Sequence, residues 1–343
     1  MLKYASHAAY CALLCGLLVR MESSPAEVAL MWFLRVFVLW NVTWLCIAVF
    51  AFDLRGVRYS EVGDGLRISV RELMNAVPYG LALVANIGAC TAAMYVQRMA
   101  FGFSLEMEVG AGVLLLIAYH VANIRYNFSS FARLEPFWKG KRLDLAKHQR
   151  WSFALSNLGL SFRLFKRVLL FLLSSLVWPS VPTLAEVYPT WQYPTTWAVV
   201  AHLVLTPLSL GFTFCQYHLV HAWLHKNAAL YRMVHKVHHL ARYPIPSDSG
   251  TISPLEFAMH EITFPKVFTP FWLWLPGEIV IGMAHRKDHT FELGNQDLKD
   301  GKGDAAWHML HHSKNAGNYS FEPLDKLFGT AMDLSKIAPF ALG

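Results

Sequence analysis

Charged side chains are scarce in this chain, and the motifs of most soluble enzyme classes are missing from it. Asp, Glu, Lys and Arg make up 15% of the 343 residues, against about 25% in an ordinary soluble domain. Hydrophobic residues reach 55% and the mean hydropathy is +0.34, which excludes an average globular composition and points to a membrane protein. The five cysteines, Cys11, Cys15, Cys46, Cys90 and Cys215, form no CxxC pair and lie in or beside apolar stretches, so reduced core thiols are expected rather than a disulfide framework. No GxGxxG or GxxxxGK[ST] follows a strand-like run, and no HExxH supplies the glutamate base of a zinc peptidase. The Glu-rich ExxH set of soluble di-iron carboxylate proteins is also absent.

What is present begins with long apolar runs. Crossing a hydrocarbon layer of roughly 30 Å takes a helix of about twenty residues, and stretches near 5–19, 28–51, 76–97, 109–124, 164–182 and 197–216 approach or reach that length. The first is read as an ordinary first helix or signal anchor rather than a cleaved leader. If the spans alternate in direction, one set of loops carries Lys3, Arg55, Arg58, Arg67, Arg71 and ten Lys/Arg between Arg125 and Arg167, while the other carries only Arg20 and Arg98. Positive loops stay inside, so the basic side and everything after 197–216 are expected in the cytoplasm, in an endoplasmic reticulum or bacterial inner membrane. Sequons at Asn127 and Asn318 then stay unglycosylated. Arg35, inside an apolar run, is costly at that depth and is equally read as a functional group or a helix-interface arginine.

Three parts follow from this pattern. Residues 1–124 form membrane hairpins without a chemical motif. Residues 125–167 mix basic and aromatic side chains and suit either an interfacial segment or a solvated linker; nucleic-acid binding is not expected, because topology accounts for the charge. Residues 168–343 carry the histidines. Within them, 255–283 is apolar but interrupted by Pro265, Pro270 and Pro276, and a proline cannot donate a helical hydrogen bond. A broken hairpin dipping into the bilayer is therefore expected there.

Twelve of the 16 histidines fall between His218 and His312, where an even scatter puts about four. Ten of them form four patterns: His221/His225, His235/His238/His239, His285/His289 and His308/His311/His312. On a helix, residues three or four apart share a face, so each pattern aims its imidazoles at one point. Neutral imidazole ligates first-row transition metals. One zinc takes about four ligands, so ten histidines suit two metals close together. His218 is a candidate supporting group or spare ligand, and His260 a weaker one. Asp288 and Glu256 are candidates for orienting imidazoles through their second nitrogen. His7, His120, His148 and His202 are read as ordinary helix or loop residues.

These patterns, with the downstream "PLEF" and the closing "GNYSFEPLDKLFGT", resemble the fatty acid hydroxylase / sterol desaturase superfamily over roughly 150–335. Many relatives have histidine where this chain has Ser253 and glycine where it has Ser320, which bears on the substrate. The resemblance implies an all-α, multi-pass helical membrane fold with a cytosolic histidine-rich metal-binding cap. It implies a non-haem di-iron centre ligated by His221, His225, His235, His238, His239, His285, His289, His308, His311 and His312, with O2 as oxidant. Electrons would come from a separate carrier, a b-type cytochrome or ferredoxin-like protein, docking on basic loops around Lys139–Arg150. A lipid entering from the bilayer would be hydroxylated or, from the same C–H abstraction, desaturated. A membrane metal carrier and a zinc-stiffened scaffold remain alternatives from other classes.

Overall fold

The computed structural model describes residues 70–101, 145–178, 196–239, 242–260, 271–301 and 303–340, with short pieces between 109 and 125. The expected spans 5–19 and 28–51, Arg35, Asn127, Pro265 and Pro270 lie outside the described residues. Every regular element among those described is helical. Three long helices come first: α1 (Val70–Phe101), α2 (Leu145–Val177) and α3 (Thr196–Lys226). After them come α4 (Ala228–Leu230), which runs into a π turn, α5 (Pro254–His260), α6 (Phe271–Asp288), α7 (Phe291–Lys299), α8 (Asp304–Lys314) and α9 (Glu322–Leu327).

Among the described residues, the stretch Ala76–Arg98 of α1 is the one helix long and apolar enough to cross a membrane, and it overlaps the expected span 76–97. The chemistry of its outer face is apolar: Val77, Leu81 and Val84 are exposed, as are Leu203, Val204 and Leu208 on α3. Helices α1 and α3 run through Pro78 and Pro207, as the expected spans 76–97 and 197–216 require, whereas α6 runs through Pro276, where a break was expected. A proline deletes one backbone bond, which neighbouring elements in an apolar bundle offset. Helix α2 runs unbroken through residue 167, since no proline or turn signal interrupts 145–177.

Polar side chains join the long helices. Arg98 donates to Ser174 Oγ (3.1 Å) and Arg167 to Gln97 Oε1 (3.1 Å), tying α1 to α2. The last carbonyls of a helix have no partner within it, and short α5 has two of its carbonyls capped by other helices. Asn86 of α1 donates to Ala258 O (3.0 Å) and Gln216 of α3 to Met259 O (2.8 Å). At its other end Ser253 accepts from Glu256 N (3.1 Å), so this serine serves as the N-cap. Helix α5 is thereby held rigidly, with Glu256 on its buried side.

The C-terminal part packs α7 across α8 around Ile245, Phe291, Met309 and Leu310. A Cβ built on Gly294 would meet Met309 Cβ at 2.7 Å, so the close crossing requires glycine. This crossing fixes the helix that carries His308, His311 and His312.

Candidate metal centre

Local structure sets each imidazole. His221 and His225 are one turn apart at the end of α3, which Lys226 terminates. Asn227 then accepts from the backbone N–H groups of Ala229 (3.1 Å) and Leu230 (3.0 Å), restarting the helix. The restart widens into a π turn, Tyr231–His235, closed by Lys236 N–H donating to Tyr231 O (2.7 Å); such turns recur at functional sites. His238 and His239 follow in a hydrogen-bonded turn rather than in the helix that the spacing predicts. His289 likewise sits just past the end of α6, while His308, His311 and His312 are on α8.

Nine of the ten sequence-selected histidines gather into two groups whose ligand atoms lie within 4.8 Å of one another: His221, His225, His235, His239 and His311, and His238, His289, His308 and His312. The two HxxHH stretches interleave. His235 and His239 join the first group and His238 the second, whereas His311 joins the first and His308 and His312 the second. The groups abut, with the rings of His239 and His312 stacked at 4.4 Å. His285 stands outside both groups, half-buried, with its ring 4.6 Å from His289.

Hydrogen bonding on the far side of the rings sets the tautomers. A backbone carbonyl only accepts, so the nitrogen facing it carries the proton. His221 Nδ1 donates to Tyr319 O (2.5 Å), His311 Nδ1 to Gly317 O (2.7 Å) and His289 Nδ1 to His285 O (2.7 Å). His235 Nδ1 donates to Glu256 Oε1 (2.8 Å). Each of these leaves a lone pair on Nε2, and His221 Nε2 and His235 Nε2 then face each other at 3.0 Å with no proton between them. Other Nε2 pairs are as close: His225–His235 (2.9 Å), His239–His311 (3.0 Å), His289–His308 (3.1 Å) and His238–His289 (3.3 Å). Nitrogens bound at about 2.1 Å to one metal and at right angles sit about 3 Å apart. His238 Nδ1, His239 Nδ1 and both nitrogens of His312 are buried without a hydrogen-bond partner. The donor set therefore fits two metal ions: cations would turn facing lone pairs, which repel, into shared ligation.

Burial, and after it the neighbouring imidazoles, pushes these histidines down: His225 to about 3, and His235, His239 and His312 well below their ordinary value. Burial lowers His238 to about 4. They are neutral at pH 7, the form that ligates metal. The metal-depleted protein is expected to lose stability as pH falls below about 6.5. Unfolded histidines take up protons from there downward while the folded ones resist, so the unfolded state binds more protons and each histidine removes about 1.4 kcal/mol per pH unit. Thermal unfolding of the chelated protein at mildly alkaline and mildly acidic pH checks this; an unchanged midpoint contradicts it.

The segment after α8 supplies acceptors that the histidine spacing does not reveal. Asn315 (φ 56°), Gly317 (φ 60°) and Asn318 (φ 47°) turn the chain back, placing the carbonyls of Gly317 and Tyr319 against His311 and His221. Fully buried Asn318 donates to Trp307 O (3.1 Å), so this sequon asparagine is inside the protein. Asp325 accepts from Trp307 Nε1 (2.9 Å), Tyr319 N (2.8 Å), Ser320 N (3.0 Å) and Thr330 Oγ1 (2.7 Å). His218 stacks on Phe328 and approaches Ser320 Oγ (3.1 Å). His148, read as ordinary, is buried and bonded to Asp248 Oδ1 (3.0 Å), tying α2 to the 245–250 loop. Asp288 lines a cavity of about 200 Å³ between α3 and α6, together with Leu210, Phe214, Ile281, His285 and His308.

Comparison with known proteins falls on the same stretch of chain. Residues 205–330 match the fatty acid hydroxylase family. A Delta(7)-sterol 5(6)-desaturase of Gibberella zeae is 31% identical over 141 residues, 36% of each chain. A cholesterol 25-hydroxylase-like protein of Caenorhabditis briggsae is 25% identical over 218 residues, 59% of this chain and 69% of the relative. Two Dictyostelium discoideum relatives named for methylsterol monooxygenase activity are 29% and 28% identical. The chain spans less than half the length of the Gibberella and Dictyostelium proteins. No solved structure matches. Both histidine groups and the carbonyls that orient them lie within residues 205–330, the stretch that is similar to the fatty acid hydroxylase family.

Proposed function

We propose that this protein is a multi-pass membrane oxygenase that hydroxylates a sterol, fatty acyl or other terpenoid lipid, with two irons held by the histidines at the cytoplasmic face of an endoplasmic reticulum or bacterial inner membrane. The observation that carries the reading is the pair of abutting histidine groups with facing Nε2 lone pairs, set beside an apolar cavity. Bound there, iron would supply activated oxygen for attack on a C–H bond, chemistry that no side chain provides. The balanced reaction is RH + O2 + 2 electrons + 2 H+ → ROH + H2O.

The chain's own residues do the positioning. Glu256 and the carbonyls of Gly317, Tyr319 and His285 hold four imidazoles in one tautomer, which preorganises the ligand atoms. His285, in the cavity wall beside His289, is the tenth ligand in this reading. Leu210, Phe214, Ile281 and Phe321 give the cavity an apolar lining, and the exposed apolar faces of α1 and α3 supply a route from the bilayer. A second, more polar cavity of about 270 Å³ shares Asp288, His308, Ser320 and Phe321 and reaches Glu322, a path by which water leaves. A second reading, desaturation, is supported by the resemblance to the Gibberella desaturase.

The test is purification under iron-replete conditions, metal counting, and incubation with a chemical reductant, lipid extract and labelled O2. Two irons per chain and a product carrying one labelled oxygen support hydroxylation. A product lighter by two hydrogens moves the assignment to desaturase, and zinc alone with no turnover supports the scaffold or carrier readings. Ile281→Trp, which fills the cavity, is expected to leave metal content unchanged and cut product formation about 100-fold, since small displacements of a reacting group cost that much. Wild-type turnover in that variant would remove the cavity from the mechanism.

A further inference from the structure

The proposed reaction consumes two electrons that no group in the described residues supplies, so they arrive one or two at a time from another molecule. One face of the cap is built for an acidic visitor. Between residues 188 and 247 the sequence contains no Asp or Glu, and none occurs between 305 and 321. The fold brings these two acid-free stretches together: Tyr231 OH donates to Asn315 Oδ1 (3.0 Å), and Ser313 Oγ donates to Arg242 O (3.1 Å). Lys226, Arg232, Arg242 and Lys314 are exposed on them, with Lys236 half-buried.

The same face also approaches the metal ligands. Tyr231 is half-buried on the π turn, its hydroxyl at the surface and its ring 5.3 Å from His225, 6.0 Å from His235 and 6.1 Å from His239. All three belong to the first histidine group. Tyr319 backs the same cluster, with its ring 5.2 Å from His225. The apolar cavity meets the other group, through His308. Substrate and electrons thus have separate approaches, one to each group.

We propose that the basic face around Tyr231, formed by Lys226, Arg232, Arg242 and Lys314, is the docking surface for an acidic one-electron carrier protein, with Tyr231 as the contact residue nearest the metal ligands. The proposal rests on the oxygenase reading, and it puts the docking surface on residues other than the expected Lys139–Arg150 loops. Two carrier molecules, each oxidised by one electron, satisfy one turnover. Opposite charge speeds encounter and sets orientation, and both effects weaken as salt screens them.

The experiment uses the full chain in discs of uncharged lipid and, as probe, the soluble haem domain of an acidic b-type cytochrome. Binding is measured from about 20 to about 200 mM salt, which needs no turnover. Arg232→Glu/Lys314→Glu is expected to weaken binding at least tenfold at low salt and to flatten the salt dependence. Helix content, metal content and turnover with a small chemical reductant should stay at wild-type levels. Charge reversal of Lys141/Arg142 should leave carrier binding unchanged. Tyr231→Leu is expected to bind the carrier within about twofold of wild type yet slow its reoxidation. Carrier affinity unchanged in Arg232→Glu/Lys314→Glu overturns the proposal. So does a variant that loses only its attraction to anionic vesicles, because the face would then be a lipid contact. If the protein binds the carrier through this face but holds no iron, the oxygenase reading fails while the docking surface stands.

Discussion

His311→Ala is expected to strip metal from the cap and to abolish lipid oxidation while leaving the helices and membrane insertion intact. His311 lies at the centre of the first group: its Nε2 is 3.0 Å from His239 Nε2, and its ring is 4.6 Å from His221 and 4.7 Å from His225. It also touches the second group through His308 and His312 on its own helix. Loss of a residue that merely orients a ligand costs about 10–100-fold in metal affinity, so loss of His311 should exceed about 100-fold. Alanine is the best helix former, and α8 is anchored elsewhere by Met309, Leu310 and Ala305 in the core, so a folding failure is not expected. Metal counting after gel filtration, with circular dichroism as the folding control, decides the matter. Wild-type metal content and rate in His311→Ala would remove the first group from the site.

The histidine patterns were legible because chemistry constrains both residue type and spacing. His221/His225 and His308/His312 are one helical turn apart, and each pair shares a group. The interleaving was not legible. Spacing alone aims His235, His238 and His239 at one point, whereas the π turn and the bend after it divide them between two groups. Nor did spacing reveal that backbone carbonyls orient the rings. Any residue carries a carbonyl, so Gly317 and Tyr319 leave no side-chain signature, and only the αL positions around them hint at a built turn. Prolines misled in one respect: Pro276 reads as a break, yet α6 passes through it. His148 stays an ordinary helix residue outside both histidine groups, and its bond to Asp248 is a packing contact that a lone histidine's spacing does not announce.

Asp325→Ala is the substitution outside the histidines expected to cost most. Its carboxylate receives Trp307 Nε1, two backbone N–H groups and the Thr330 hydroxyl, and it is fully buried. Removing it leaves those donors unsatisfied away from water, at about 1–3 kcal/mol each, so a loss of several kcal/mol is expected. The damage should reach the metal site by a defined route. The donors at Tyr319 N and Ser320 N belong to the turn whose Tyr319 carbonyl holds His221 Nδ1. Freed from Asp325, that carbonyl no longer dictates the tautomer, and His221 Nε2 loses its fixed lone pair. Asp325→Asn distinguishes the two consequences: its amide keeps the shape and one acceptor oxygen, so the fold should survive. Only the bonds needing the second oxygen are lost, and metal affinity should fall by about 10–100-fold. Thermal unfolding read alongside metal titration separates them. If Asp325→Asn binds metal as tightly as wild type, the loop's role is structural alone, and the chain from Asp325 through Tyr319 to His221 carries no weight at the site.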